Sequence, residues 1–452
     1  RYYDSGTPAY VLLKLVDNER LTQKNGNVLA RVMEDGKELQ VNWLVNPEGK
    51  TATAAVTFSG EGAHHVTVQA WDAAGNEMNA ATDLQIIDLT KPVADAQYAN
   101  PQSSAGDTLH YAGTAEVTLR VVDTNLDKAD ITVKDNNTEV TGLAWTQDAN
   151  DPAVWTAVCT VSGEGEHILT MTAHDRAKNE MEPYTSPNLL IIDQTPPVSE
   201  VKYADPMGGT DDVLYYGGAF DVTLSITDVN LDPADITVMD NGEVVSGLEW
   251  KPEGKRPTVW TAICTVSGEG EHILTMTALD RAKNEMEPFT SKKLIIDETA
   301  PIAGAQYAEP KSSRDGKDYY DGAFEVTLHA ADTNLDPADI TVMDNGTEIT
   351  GLVWTQDEAD PTVWTASCTV SGEGEHTLTM TAHDRAKNEM TPYTSPKILV
   401  IDQTAPVINV IYANTDVKNV IDGISYFDRE QTATIEITET NFSAENVTLT
   451  VT

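Results

Sequence analysis

Carboxylates and carboxamides recur in this sequence in one arrangement. Asp123, Asn125 and Asp127 stand in DTNLD, and Asp175 and Asn179 bound the later stretch DRAKN. The same types return as Asp228, Asn230, Asp232, Asp280 and Asn284, and again as Asp332, Asn334, Asp336, Asp384 and Asn388. A further aspartate precedes each set, at Asp88 (IIDLT), Asp193 (IIDQT) and Asp297 (IIDET). Oxygen donors of this kind suit a hard cation such as calcium, which takes about six to eight of them. The same residues also build turns, because their side chains bond nearby backbone and tolerate left-handed conformations. Two readings therefore stand side by side: a calcium ion held by the carboxylates, or turns and ion pairs in which Arg176 or Lys178 neutralises them.

Other chemistry has less support. His174 and His383 precede a loop aspartate, but Leu279 stands at the equivalent place, so a repeated base or ligand role fails. His167, His272 and His376 follow a turn with no ligand partner adjacent in sequence, and are read as solvated or strand-end histidines. No nucleophile motif, Gly-rich phosphate loop or metal-type Cys spacing is present. An acid pair for glycoside hydrolysis is compatible with so acidic a composition. Near-identical copies in series nevertheless suit a spacer better than a single active site. The chain is read as having no catalytic residues and requiring no cofactor.

The elements that must position these residues form an array. VSGEGEHILTMTAHDRAKNEM (Val161 to Met181) recurs from Val266 to Met286 and from Val370 to Met390 with one change in each copy. A more divergent copy runs from Phe58 to Met78. Asp88, Asp193, Asp297 and Asp402 follow one another at intervals of 105, 104 and 105 residues. This spacing predicts modules at 89–193, 194–297 and 298–402, a module at 1–88 lacking its first strand, and a truncated one at 403–452. The period suits an independent small domain rather than a solenoid repeat.

Within 89–193, apolar and polar residues alternate in short runs separated by turn chemistry. Val117, Leu119 and Val121 share one face; Trp155, Ala157, Cys159 and Val161 share another. No run keeps a helical period, and seven short strands per module predict an all-β fold of tandem β-sandwiches. Cys159, Cys264 and Cys368 occupy one equivalent inward position each, predicting free, buried thiols. The paired tryptophans, Trp145 with Trp155 and their equivalents, are either core or a sugar-stacking platform; sharing a face with the cysteine favours core for Trp155. Strand counting brings the loops after the second and sixth strands to the pole where the linker aspartate enters. The preceding SGEG turn, with Glu61, arrives there too.

Composition narrows the partners. With 29 Lys+Arg against 72 Asp+Glu the net charge is −43, which repels nucleic acid and anionic membranes. A hydrophobic content of 40% is enough for packed cores. No apolar run is long enough to span a membrane. Arg1 at the start, with no signal-like segment, suggests a piece of a longer chain.

The linker Asp-x-Thr-x-Pro, the loop Asp72 to Asn76 (DAAGN) and the stretch Ile437 to Val451 together resemble bacterial immunoglobulin-like domains, the tandem modules of large surface proteins and adhesins. The resemblance covers the whole chain, and its specificity lies in recurrence in register. Lys178, Lys283 and Lys387 depart from it, standing where the family often has glycine. It implies an exported stalk or spacer on a bacterial surface, with calcium at module junctions in some members. Its host or cell-surface ligand, a glycan or a protein, would bind outside this segment. The alternatives are a repeated glycan- or host-protein-binding module, or an accessory region of an exported carbohydrate-active enzyme.

Overall fold

The computed structural model describes residues 1–3, 9–21, 23–24, 27–58, 60–254, 258–413 and 416–450. Its regular structure is strand, apart from three single-turn 3-10 helices. Among the described residues no helix is long and apolar enough to cross a membrane.

Residues 89–193 illustrate the plan. The strands are β1 (Val93–Tyr98), β2 (Ser103–Ala105), β3 (Thr108–Tyr111), β4 (Thr114–Val122), β5 (Thr132–Asp135) and β6 (Thr138–Glu139). They continue as β7 (Thr146–Gln147), β8 (Val154–Ser162), β9 (Gly165–His167), β10 (Leu169–Thr172), β11 (Tyr184–Thr185) and β12 (Leu189–Ile192). Three four-stranded sheets result, in the orders β1-β4-β8-β7, β2-β3-β12-β9 and β6-β5-β10-β11. All pairings are antiparallel except β3 with β12. The same three sheets recur in 194–297 and 298–402. In 1–88, Tyr2–Tyr3 runs parallel to Gln85–Ile87 as β3 does to β12. The chain is thus a tandem array of immunoglobulin-like β-sandwich modules.

Alternation places the core. Val117, Leu119 and Val121 of β4 pack with Cys159 and Val161 of β8, Leu169 and Met171 of β10, and Leu190 and Ile192 of β12. Trp145 and Trp155 lie half-buried on the same core, as do Trp250 and Trp260 or Trp354 and Trp364 on theirs. Cys159, Cys264 and Cys368 are free and buried, and burial raises each thiol pKa. Thiol labelling of the native chain should accordingly be slow, and should reach three thiols only in denaturant. Rapid native labelling would show that these cysteines are not held in the core.

The structure has more, and shorter, strands than seven alternating runs suggest. The run 167–175 divides at Ile168: β9 pairs with β12, whereas β10 pairs with β5. The run 139–145 stays largely irregular, with Val140, Leu143 and Trp145 resting on the core. The β2–β3 hairpin, polar and turning at Gly106 (φ 60°), had no alternation to mark it.

Candidate functional site

Asp88 follows the last strand of 1–88, Asp123 follows β4 and Asp175 lies beyond β10. Their carboxylates converge: each offers an oxygen within 4.8 Å of the others, and all three residues are buried. The sets Asp193, Asp228, Asp280 and Asp297, Asp332, Asp384 repeat this. The convergence follows from strand direction, since the linker and both loops lie at one pole.

The amides of the two loops hold the carboxylates in place. Asn125 Nδ2 donates to Asp88 Oδ2 at 2.6 Å, and the Asn125 backbone amide donates to Asp123 Oδ1 at 2.8 Å. Asn179 Nδ2 donates to the Asp88 carbonyl at 2.8 Å and to Asp175 Oδ2 at 2.7 Å. Asn230 and Asn284 make the same bonds to Asp193 and Asp280, as do Asn334 and Asn388 to Asp297 and Asp384. The preceding module reaches in through its SGEG turn, where Glu61 accepts from Thr90 Oγ1 at 2.6 Å. Glu164, Glu269 and Glu373 accept from Thr195, Thr299 and Thr404 in the same way.

Not every sequence candidate joins the triad. Asp127, Asp232 and Asp336 lie outside it. Asp127 and Asp336 cap 3-10 turns, Asp232 accepts from the Ala234 amide, and Asp127 and Asp232 face Arg176 and Arg281. The neutralising reading holds for Asp127 and Asp232, which pair with Arg176 and Arg281, but does not reach the triad. Arg176 turns to Asp127 and to Tyr2, and Lys178 Nζ lies 3.2 Å from His174 Nδ1. Lys283 and Lys387 pair instead with Asp235 and Asp339. The three lysines adopt φ of 71°, 67° and 66°, the left-handed conformation that Gly75 (φ 83°) takes at the equivalent place in the Asp72–Asn76 loop.

The electrostatic result is a concentration of negative charge with little compensation. Burial pushes the Asp123 and Asp332 carboxyls up to about 6, and that of Asp228 up to about 7. The neighbouring carboxylates add to the rise, and a backbone amide partly offsets it. Asp280 and Asp384 are raised for the same first reason. An open cleft of about 450 Å³ beside Asp88, Asp123 and Asn125 gives water or an ion access. An all-oxygen donor set, short of positive charge and reachable from solvent, fits a hard divalent cation.

Two features escaped the sequence reading. His167, His272 and His376 are not solvated: each is buried, with Nδ1 2.6 to 2.7 Å from Asp135, Asp240 or Asp344 and Nε2 bonded to a glycine carbonyl of the SGEG turn. In addition, Asn441 Nδ2 donates to Asp402 Oδ2 at 2.7 Å with Glu439 nearby, repeating the linker arrangement at a fourth place. The recurrence of an acidic residue two positions before an asparagine (DTN, DVN, DTN, ETN) was the available signal.

No protein-family model matches the chain, and no curated protein sequence does. Among solved structures, a D1-D4 ectodomain fragment of ICAM-5 is similar at 12% identity and a TM-score of 0.36, over 89% of this chain and 97% of that one. A 1.5-MDa bacterial ice-binding adhesin is similar at 15% and 0.26, over 70% of this chain and 100% of that one. The fibronectin(III)-like modules of Clostridium thermocellum CbhA are similar at 14% and 0.23, over 45% and 94%.

Proposed function

We propose that this chain is a non-catalytic spacer of a bacterial cell-surface protein, an adhesin, whose module junctions are stiffened by calcium. The observation that carries the proposal is the buried aspartate triad at three successive linkers. One member of each triad is the linker residue itself, so an ion bound there would tie the connecting chain to both loops of the module it opens. Strands of eight or nine residues give each module a length on the order of 40 Å, so the series separates its ends by far more than one domain. The tryptophan pairs pack on their own cores rather than forming an exposed aromatic platform, which supports a spacer over a glycan-binding module. The ligand, a glycan or a protein on a host or other cell, would be bound beyond this segment, outside the cell.

Small-angle scattering with calcium and with EDTA tests both parts. The expected result is an elongated particle that becomes measurably more flexible when the ion is removed. A compact profile in both buffers would defeat the spacer reading. Superimposable elongated profiles, together with no saturable calcium binding, would defeat the calcium reading alone.

A further inference from the structure

Four equivalent positions face the junctions. Tyr2, His110, Tyr215 and Tyr319 each pair with the residue two before a linker aspartate: Ile86, Ile191, Ile295 and Val400. From there Tyr2 and Tyr215 meet the Asp-Arg-Ala-Lys-Asn loop of the next module. Arg176 donates to Tyr2 Oη at 3.4 Å, and Arg385 donates to Tyr215 Oη at 3.3 Å with its guanidinium 5.9 Å from the ring centre. Ala386 of the same loop is buried against Tyr215 and Ile295. A phenol suits this place, because it accepts from the guanidinium and offers it a ring face.

At the junction between 89–193 and 194–297 the residue is His110. It is 3% exposed, and its Nδ1 has no hydrogen-bond partner among the described residues. The loop is nevertheless docked: Ser103 Oγ of β2 donates to the Arg281 carbonyl at 2.5 Å, and Ala282 is fully buried. Arg281 of the loop and Asp193 of the linker act on the imidazole through their charge, and the Arg281 guanidinium, about a third exposed, pairs with Asp232 at 3.2 Å. Burial first, and Arg281 next, hold the His110 pKa below its ordinary value, with Asp193 opposing them.

We propose that this junction is an acid-sensitive hinge: protonation of His110 places an unpartnered charge in the buried site beneath the docked loop and releases the Arg281 loop from the β2–β3 hairpin. The junctions built on Tyr2 and Tyr215 have no such group and stay docked. Undocking returns His110 to water, where it titrates near its ordinary value of about 6.5. Because the docked form resists the proton, docking is complete above that pH and weakens as the pH falls below it. Asp228, pushed up to about 7, takes up a proton over an overlapping range, and burial raises Asp280 as well; their neutralisation relieves mutual repulsion and acts in the opposite direction. The comparison must therefore leave those carboxylates in place.

Hydrogen–deuterium exchange on the full chain in EDTA supplies the test, comparing the native protein with H110Y and H110Q at about pH 7.5 and about pH 5.5. At the lower pH, peptides covering β2–β3 and the Arg281 loop should exchange several-fold faster in the native chain than in either variant. At the higher pH native and H110Q should match, and peptides around Tyr215 and Arg385 should match throughout. Equal exchange of native and H110Q at the lower pH would overturn the proposal. So would an acid response of the same size at the Tyr215 junction. If H110Y is loose at both pH values because the larger ring does not fit, the isosteric H110Q still decides.

Discussion

Asp228→Asn should lower calcium uptake by one ion per chain while making the calcium-free chain more stable. Asp228 is buried with Asp193 and Asp280, and its carboxyl is pushed up to about 7 by that burial, with both neighbours and Glu164 adding to the rise. An amide in its place can still accept from the Asn230 backbone through its oxygen, a bond now 2.7 Å long. It removes one buried negative charge and one strong calcium ligand. A carboxyl that titrates higher in the folded chain than its ordinary value of about 3.9 takes up a proton on folding. The calcium-free native chain should therefore gain stability as the pH falls from above 7 towards about 4, and change little below that. Calcium reverses the dependence, because the ion favours the ionised form that acid removes. Discounted for screening, the gain from the variant at neutral pH is on the order of 1–2 kcal/mol. Calorimetric titration and thermal melting in EDTA check the two halves. An unchanged ion count would remove Asp228 from the ligand set, and a destabilised calcium-free variant would show that its charge is compensated in the native fold.

The arrangement behind this expectation was legible from the sequence to a definite depth. Alternation identifies Val117, Leu119, Cys159 and Val161 as core because period two needs only local sequence. Strand direction brings Asp88, Asp123 and Asp175 to one pole because each strand crossing reverses the chain. What local pattern cannot supply is the direction of a side chain after a turn. Asp127 stands only four residues from Asp123, yet caps a 3-10 turn and points away from the triad. One of the two readings places Lys178 or Arg176 among the carboxylates, but a left-handed backbone sends Lys178 to His174. The contact of Arg385 with Tyr215 joins residues 170 positions apart in different modules, and only the folded register shows it. The clasp of His167 by Asp135 spans 32 positions and two sheets, so a run that reads as one strand conceals it.

That clasp is the basis of the second large effect. His272→Ala should destabilise residues 194–297 by about 2–3 kcal/mol, more than the removal of a surface histidine would. His272 Nδ1 lies 2.6 Å from Asp240 Oδ2 and Nε2 lies 2.8 Å from the Gly268 carbonyl. Both partners are acceptors, so the ring bridges β-strand and turn and closes the SGEG loop over the module end. Asp240 Oδ1 is buried without a hydrogen-bond partner among the described residues, so deleting the imidazole leaves that carboxylate with neither oxygen bonded to a side chain. The double variant H272A/D240A should recover part of the loss, because the stranded acceptor disappears with its charge. The damage should also reach the next linker. The turn pinned by His272 carries Glu269, whose Oε1 accepts from Thr299 Oγ1 at 2.7 Å beside Asp297. Calcium uptake at the Asp297 site should therefore weaken in H272A although no ligand has changed, while uptake at the Asp88 site stays as it was. Chemical denaturation followed by calcium titration of the same sample measures both effects. A loss of stability with unaltered binding at every site would mean that the turn does not position Glu269, and an unaltered stability would mean that the clasp is replaced by water.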